Sequence, residues 1–321
     1  MKKKVWAVIL ITTVMLLAAC SQKNDTEPDQ SEEGKLKLFT TIYPFQFFSE
    51  RIGGDLIEVE SIIPPGADAH SMEVTMKKMM EIAESDAFIY SGTGLESFAD
   101  AVVDAINDED MKVVRAAEDV SFITGYKDEH EEHNEENHDE KEEQNEMNVD
   151  PHVWLDPMRS VIIAENIRDA FIEIDPANEG EYKKNFDALQ KELEQLNTEF
   201  QELVNSAETR KFVVSHSAYG YWEDAYGLEQ IAISGLSPTD EPSQVELAKI
   251  IDTVRENNIK YIFFEPNLTN KIADMVKNET GTTPLELDNL ESISGENIDA
   301  NEDYFAIMRK NIEALSNALT K

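Results

Sequence analysis

The chain contains six histidines, His70, His130, His133, His138, His152 and His216, and their neighbours sort them into two kinds. His70 stands in "PPGADAHSMEVT", His152 in "DPHVWLDP" and His216 in "VVSHSAYGYW", each on a short connection beside regular-looking segments. Imidazole nitrogen is a good ligand for zinc and its transition-metal neighbours, so the chemistry these residues offer is metal binding. No two of them form a local motif such as HExxH, so three separate parts of the chain must converge for that chemistry. His130, His133 and His138 instead lie in "KDEHEEHNEENHDEKEEQNE", among Asp, Glu, Asn and Lys with no apolar side chain to fix them. Ordering such a run around one ion costs backbone entropy of about 1–2 kcal/mol per residue, so any site there is expected to be weak and degenerate. The run reads either as a zinc-collecting lid or as a solvated insertion whose histidines are incidental.

The elements that must position the first three histidines follow from periodicity. "LKLFTTI", "LIEVESII", "AFIYSG" and "KVVRAA" are short apolar runs suited to buried parallel strands, and "KFVVS", "LEQIAIS", "YIFFE" and "PLELD" repeat the scheme later in the chain. Helical patterns lie between them, such as "PFQFFSERI", "TMKKMMEIAES", "SFADAVVDAIN" and "PSQVELAKIIDTVRENN". Two α/β lobes of about four strands each are therefore expected. Ligands of open α/β sheets bind beyond the carboxyl ends of strands, which is where His70 and His216 fall, one in each lobe. His152 sits on a turn ahead of Asp156 and Pro157, a helix N-cap and first helical residue by type. Between the lobes, Tyr182, Phe186, Leu189, Leu193, Leu196, Phe200 and Leu203 recur at alternating intervals of four and three, which predicts one amphipathic helix over 179–204. At 1.5 Å rise per residue it spans about 39 Å, long enough to run along both lobes and stiff enough to limit hinge closure.

The N-terminus opens "MKKKVWAVILITTVMLLAAC", three lysines, a short apolar stretch and small residues ending at Cys20. This reads as a secretory signal peptide and is too short for a membrane span. Cys20 is the only cysteine, so disulfides and thiolate metal sites within one chain are excluded. Residues 21–34, "SQKNDTEPDQSEEG", have almost no apolar side chains and suit a flexible tether. The formal net charge of −38 over 321 residues argues against nucleic acid, whose phosphates need clustered Lys and Arg, and fits a cationic partner.

The segments "PPGADAH", "DPHVWLDP" and "VVSHSAYGYW", with the "LAAC" ending, resemble those of bacterial zinc-uptake solute-binding lipoproteins of the cluster A-I family, the capturing subunits of zinc ABC transporters. The likeness covers essentially the whole mature chain. It implies two (β/α)4 lobes joined by the long helix, with a metal cleft between them. It also implies that residues 1–20 are a lipoprotein signal peptide with Cys20 lipidated, that 35–178 and 205–321 are the two lobes, and that 127–148 is an acidic His-rich loop. Carried over by motif, His70, His152 and His216 are the three histidine ligands of Zn²⁺ and Glu291 in "LDNLES" the fourth, with His130, His133 and His138 as weak accessory sites. A permease with its cytoplasmic ATPase would be the partner, the protein a lipid-anchored monomer outside the membrane, and no reaction would be catalysed.

Two carboxylates compete for the fourth place, since Glu265 ends "YIFFE" and Glu291 follows "PLELD", both at strand ends. Periodicity does not choose. The resemblance favours Glu291 and leaves Glu265 to accept backbone amides. Some zinc members of the family carry a glutamate just before the first histidine, where this chain has Ala69, which gives Glu291 more weight. Related manganese proteins have a carboxylate at the third position, so His216 there points to zinc. A secreted zinc hydrolase is the competing class, because three histidines alone would leave a coordination position for water. A surface adhesin with structural zinc is a third.

Overall fold

In the computed structural model, residues 34–105, 111–124, 149–266, 268 and 270–320 are described. Cys20, the signal segment and His130, His133 and His138 lie outside them. The first apolar runs become β1 (Leu36–Thr40), α1 (Tyr43–Gly53), β2 (Ile57–Ser61), α2 (Met76–Ala83), β3 (Ala87–Tyr90), α3 (Ala99–Ala105) and β4 (Lys112–Arg115). Then come α4 (Pro157–Ile174) and the long α5 (Glu179–Ser206). The second half folds as β5 (Lys211–His216), α6 (Gly220–Tyr226), β6 (Glu229–Ser234), α7 (Gln244–Glu256), β7 (Tyr261–Phe264), α8 (Lys271–Thr280), β8 (Thr283–Glu286), α9 (Gly295–Asp299) and α10 (Tyr304–Leu319).

The two sheets share one topology, β2-β1-β3-β4 and β6-β5-β7-β8, with every pairing parallel. Strand order reverses direction between β1 and β3 and again between β5 and β7, so each lobe has a switch point where a crevice opens at the strand ends. Buried strands such as "AFIY" of β3 carry apolar side chains on both faces because helices cover both.

Helix α5 holds the two sheets together. Its stripe from Tyr182 to Leu203 is buried as the period requires, and the helix runs two residues past the expected end, to Ser206. It packs on α1 and α4 of the first half and on α10 of the second. Phe200 stacks on Tyr226 at 5.0 Å between ring centroids, with Trp222 at 5.1 Å. The largest apolar cluster consequently draws residues from both halves, from Leu38 to Leu319. The described residues from Leu36 onward group into one compact unit that contains both sheets and the helix between them. Among the described residues no helix is long and apolar enough to cross a membrane.

Helix α4 starts where the sequence signals it. Asp156 caps it by accepting from the Met158 amide at 2.8 Å, and Pro157 takes the first position. The cap fixes the direction of the short turn Val153–Leu155 in front of it, and that turn begins at His152.

Candidate metal centre

Three strand-end connections and one turn deliver the four residues. His216 is the last residue of β5, and His70 lies on the connection from β2 to α2. His152 begins the Val153–Leu155 turn, which is held by Ser160 of α4 and by several groups from the second half of the chain. Tyr221 Oη donates to Asp150 O at 2.7 Å, Trp154 Nε1 to Asn289 O at 2.7 Å, Trp222 Nε1 to Leu155 O at 2.8 Å, and Tyr304 Oη to Trp154 O at 2.6 Å. A ligand that precedes α5 in sequence is thus held by groups that follow it.

Glu291 comes from a turn with a left-handed residue in it. Leu290, fully buried, has φ 60°, a conformation that costs a bulky residue about 1–3 kcal/mol. Asp288 holds the turn: its Oδ1 accepts from the Leu290 amide at 2.8 Å and its Oδ2 from Asn297 Nδ2 at 3.1 Å. Burial pushes the Asp288 carboxyl up to about 7, against the lowering effect of the Leu290 amide. Asn289 braces the ligand at both ends, donating to Glu291 Oε1 at 3.0 Å and accepting from the Glu291 amide at 3.1 Å.

The result is a convergence. One ligand atom from each of His70, His152, His216 and Glu291 lies within 4.8 Å of the others. Glu291 Oε1 is 3.2 Å from His152 Nε2, 3.3 Å from His70 Nε2 and 3.9 Å from His216 Nε2. Four atoms at 2.0–2.1 Å from a tetrahedral Zn²⁺ stand about 3.3–3.4 Å apart, which the edges from Glu291 Oε1 to His152 and His70 match closely, while the edge to His216, at 3.9 Å, is longer. His70 Nε2 and His216 Nε2 are buried without a hydrogen bond among the described residues. Orphaned imidazole nitrogens are costly unless something electrophilic takes them up, and a cation at the centre would do so. The His216 and His152 side chains are fully enclosed, whereas that of His70 keeps 11% of its surface, so solvent reaches the centre on the His70 side.

The electrostatics suit a cation. Burial would raise the Glu291 carboxyl, but the adjacent His152 and His70 rings outweigh it and hold it well below the usual range. Burial likewise pulls His152 down, yet its hydrogen bonds with Asp150 and Glu291 win and hold it up at about 9 in the metal-free protein.

All four of the residues that sequence and resemblance single out are brought together here, and Glu265 is not among them. Glu265 Oε1 lies 2.6 Å from His216 Nδ1, the ring nitrogen that faces away from the centre. The expectation that Glu265 accepts backbone amides is not met: neither of its oxygens has a hydrogen bond among the described residues. Pro266 follows it and offers no N–H, so the strand end lacks the donor that this expectation needed. Asp150, Asp288 and Asn289 also support the site, although no spacing in the sequence singles out Asp288 or Asn289. For Asp150 the signal was there, an Asp two residues ahead of a histidine at a proline turn.

The chain is similar to known proteins of one family. The profile of the family described as "Zinc-uptake complex component A periplasmic" matches residues 38–318. The zinc-binding lipoprotein AdcA of Streptococcus pneumoniae is 33% identical over 98% of this chain, which spans about 60% of that protein's length. The high-affinity zinc uptake system protein ZnuA of Bacillus subtilis is also 33% identical, over 97% of this chain and 96% of its own. Among solved structures, the Zn(II)-bound ZnuA-like domain of Streptococcus pneumoniae AdcA superposes with a TM-score of 0.74 at 32% identity, covering 90% of this chain and 100% of that domain.

Proposed function

This chain belongs to the zinc-uptake complex component A family, and from that premise we propose that it captures Zn²⁺ outside the cytoplasm and delivers it to a membrane permease powered by a cytoplasmic ATPase. His70, His152, His216 and Glu291 are the ligands in this reading. The observation that carries it is the meeting of three imidazole nitrogens and one carboxylate oxygen within 4.8 Å.

Three nitrogens and one oxygen suit zinc better than manganese, which favours carboxylate and water oxygen. Glu291 also occupies the position that a catalytic zinc would keep for water, which favours capture over hydrolysis. Asp150 orients His152: its Oδ1 accepts from Nδ1 at 2.8 Å and turns Nε2 to the centre. The ion enters past His70, the most exposed of the four ligands. The turn carrying Glu291 is hydrogen-bonded to the connection carrying His70, through Gly66 N to Ile293 O at 3.0 Å and Ser292 Oγ to Ala67 O at 2.8 Å. Parting those two segments would open the site, and α5 would keep the rest in register.

Residues 1–20 act in this reading as a lipoprotein signal peptide, with Cys20 lipidated and 21–34 as a tether, so that a monomer is held at the membrane near its permease. The 127–148 run gathers zinc loosely through His130, His133 and His138. The test is growth of a strain lacking this protein. Failure in zinc-chelated medium, rescued by zinc and not by manganese, is expected; normal growth without zinc would contradict the reading.

A further inference from the structure

We propose that Glu265 is a positioning residue for the metal centre, holding His216 with its proton on Nδ1 and its Nε2 lone pair turned to the ion. The assignment rests on the zinc-capture reading and deepens it.

Strand register places the pair. β5 and β7 are parallel neighbours, with Val213 opposite Ile262 and Val214 opposite Phe263. Continued to the strand ends, that register sets Glu265 opposite His216, on the same face of the sheet at the switch point. The two side chains meet at 2.6 Å, Glu265 Oε1 to His216 Nδ1. An imidazole with its Nδ1 against a carboxylate carries its hydrogen there and presents Nε2 as an acceptor, which is the form a metal needs. His152 and Asp150 form the hydrogen-bonded version of this pairing within a single turn, whereas Glu265 stands at contact distance from His216 Nδ1. The second case is built across two strands.

Glu265 does not read as a ligand or as an ordinary structural acid. A ligand would approach Nε2, where Glu291 stands 3.9 Å away, whereas Glu265 faces the other ring nitrogen. A structural acid would have other polar partners, yet Glu265 is 6% exposed and, beyond the 2.6 Å approach of Oε1 to His216 Nδ1, neither oxygen meets a hydrogen-bond partner among the described residues. A carboxylate is costly to bury in that condition unless a positive charge compensates it. The compensating charge is the zinc ion, felt through the His216 ring. Its burial is therefore unfavourable in the metal-free protein and repaid in the loaded one.

That difference of sign supplies the test. Glu265→Gln keeps the size and an oxygen acceptor for Nδ1–H but removes the charge. Zinc affinity, measured against a competing chelator on the parent and the variant together, should fall about 10–100-fold. The melting temperature of the zinc-free variant should be unchanged or higher than the parent's. Nitrogen-15 spectra of the zinc-loaded parent should show His216 protonated at Nδ1, with that proton's resonance displaced in the variant. Parental affinity in the variant, zinc bound through Nδ1, or a joint loss of affinity and zinc-free stability would each overturn the assignment. A parent that binds no zinc would overturn the capture reading itself, and this assignment with it.

Discussion

Asp150 Oδ1 accepts two hydrogen bonds from the same residue, His152, one from its backbone amide at 3.0 Å and one from its Nδ1 at 2.8 Å. The main-chain bond fixes the turn and the side-chain bond fixes the ring. Nε2 is left 3.2 Å from Glu291 Oε1, at the spacing of two ligands on one zinc ion. Asp150→Asn replaces a single-minded acceptor with a group that also donates and carries no charge. The expected result is a zinc affinity about 10–100-fold lower with the fold retained, as seen by chelator competition and circular dichroism. An unchanged affinity would remove Asp150 from the account.

Zinc and protons compete for His152. Because its two carboxylate neighbours hold the metal-free ring up at about 9, zinc must displace a proton at any pH below that value. Apparent affinity should therefore rise about tenfold per pH unit from about 7 to 8.5 and level off above about 9. For the metal-free fold, a pKa raised above the unfolded value of about 6.5 adds stability that is fully present below 6.5 and lost as pH rises through about 9. The zinc-free protein should thus lose this contribution under the same alkaline conditions that favour zinc binding. Titration calorimetry in buffers of different ionisation enthalpy counts the released proton, and a pH-independent affinity between 7 and 9 would contradict it.

Much of the frame was legible because it follows from period. The alternating apolar spacing from Tyr182 to Leu203 admits only a long helix with one buried face, and α5 is that helix. The Asp156–Pro157 pair marked the start of α4, although the helix beyond it, with apolar residues such as Ile162 and Ile163 around much of its circumference, was not assigned. His70, His152 and His216 were recognisable by their motifs, and Glu291 by resemblance. Contacts that depend on the meeting of distant segments were not legible. Glu265 and His216 are 49 positions apart and become neighbours only once β5 pairs with β7. Trp154 reaches Asn289 across the whole of α5 for the same reason, so the attachment of His152 to the second half had no trace in spacing.

Removal of residues 128–146 should leave one tight zinc equivalent almost unchanged and abolish weaker ones, because the four converging residues all lie outside that run. Stoichiometry by native mass spectrometry over a range of free zinc checks this. Loss of the tight equivalent would mean that the run supplies a ligand.

Cys20→Ala should leave zinc binding intact while abolishing lipid attachment and releasing protein into the medium. Fractionation of cells expressing each form reads this directly. Retention of unlipidated protein at the membrane would show that something other than Cys20 anchors it.

The central claim, that three histidines and Glu291 hold one zinc ion, is tested most directly by chelator-competition titration of the parent, His216→Ala, Glu291→Ala and Glu265→Ala, with Mn²⁺ as a competing metal. His216→Ala should weaken binding most, since water replaces an imidazole poorly. Glu291→Ala should come next, because three nitrogen ligands remain, and Glu265→Ala should weaken it least. The parent should prefer Zn²⁺ to Mn²⁺ throughout. A Glu291→Ala protein indistinguishable from the parent beside a strongly impaired Glu265→Ala protein, or a parent that takes Mn²⁺ in preference, would contradict the account.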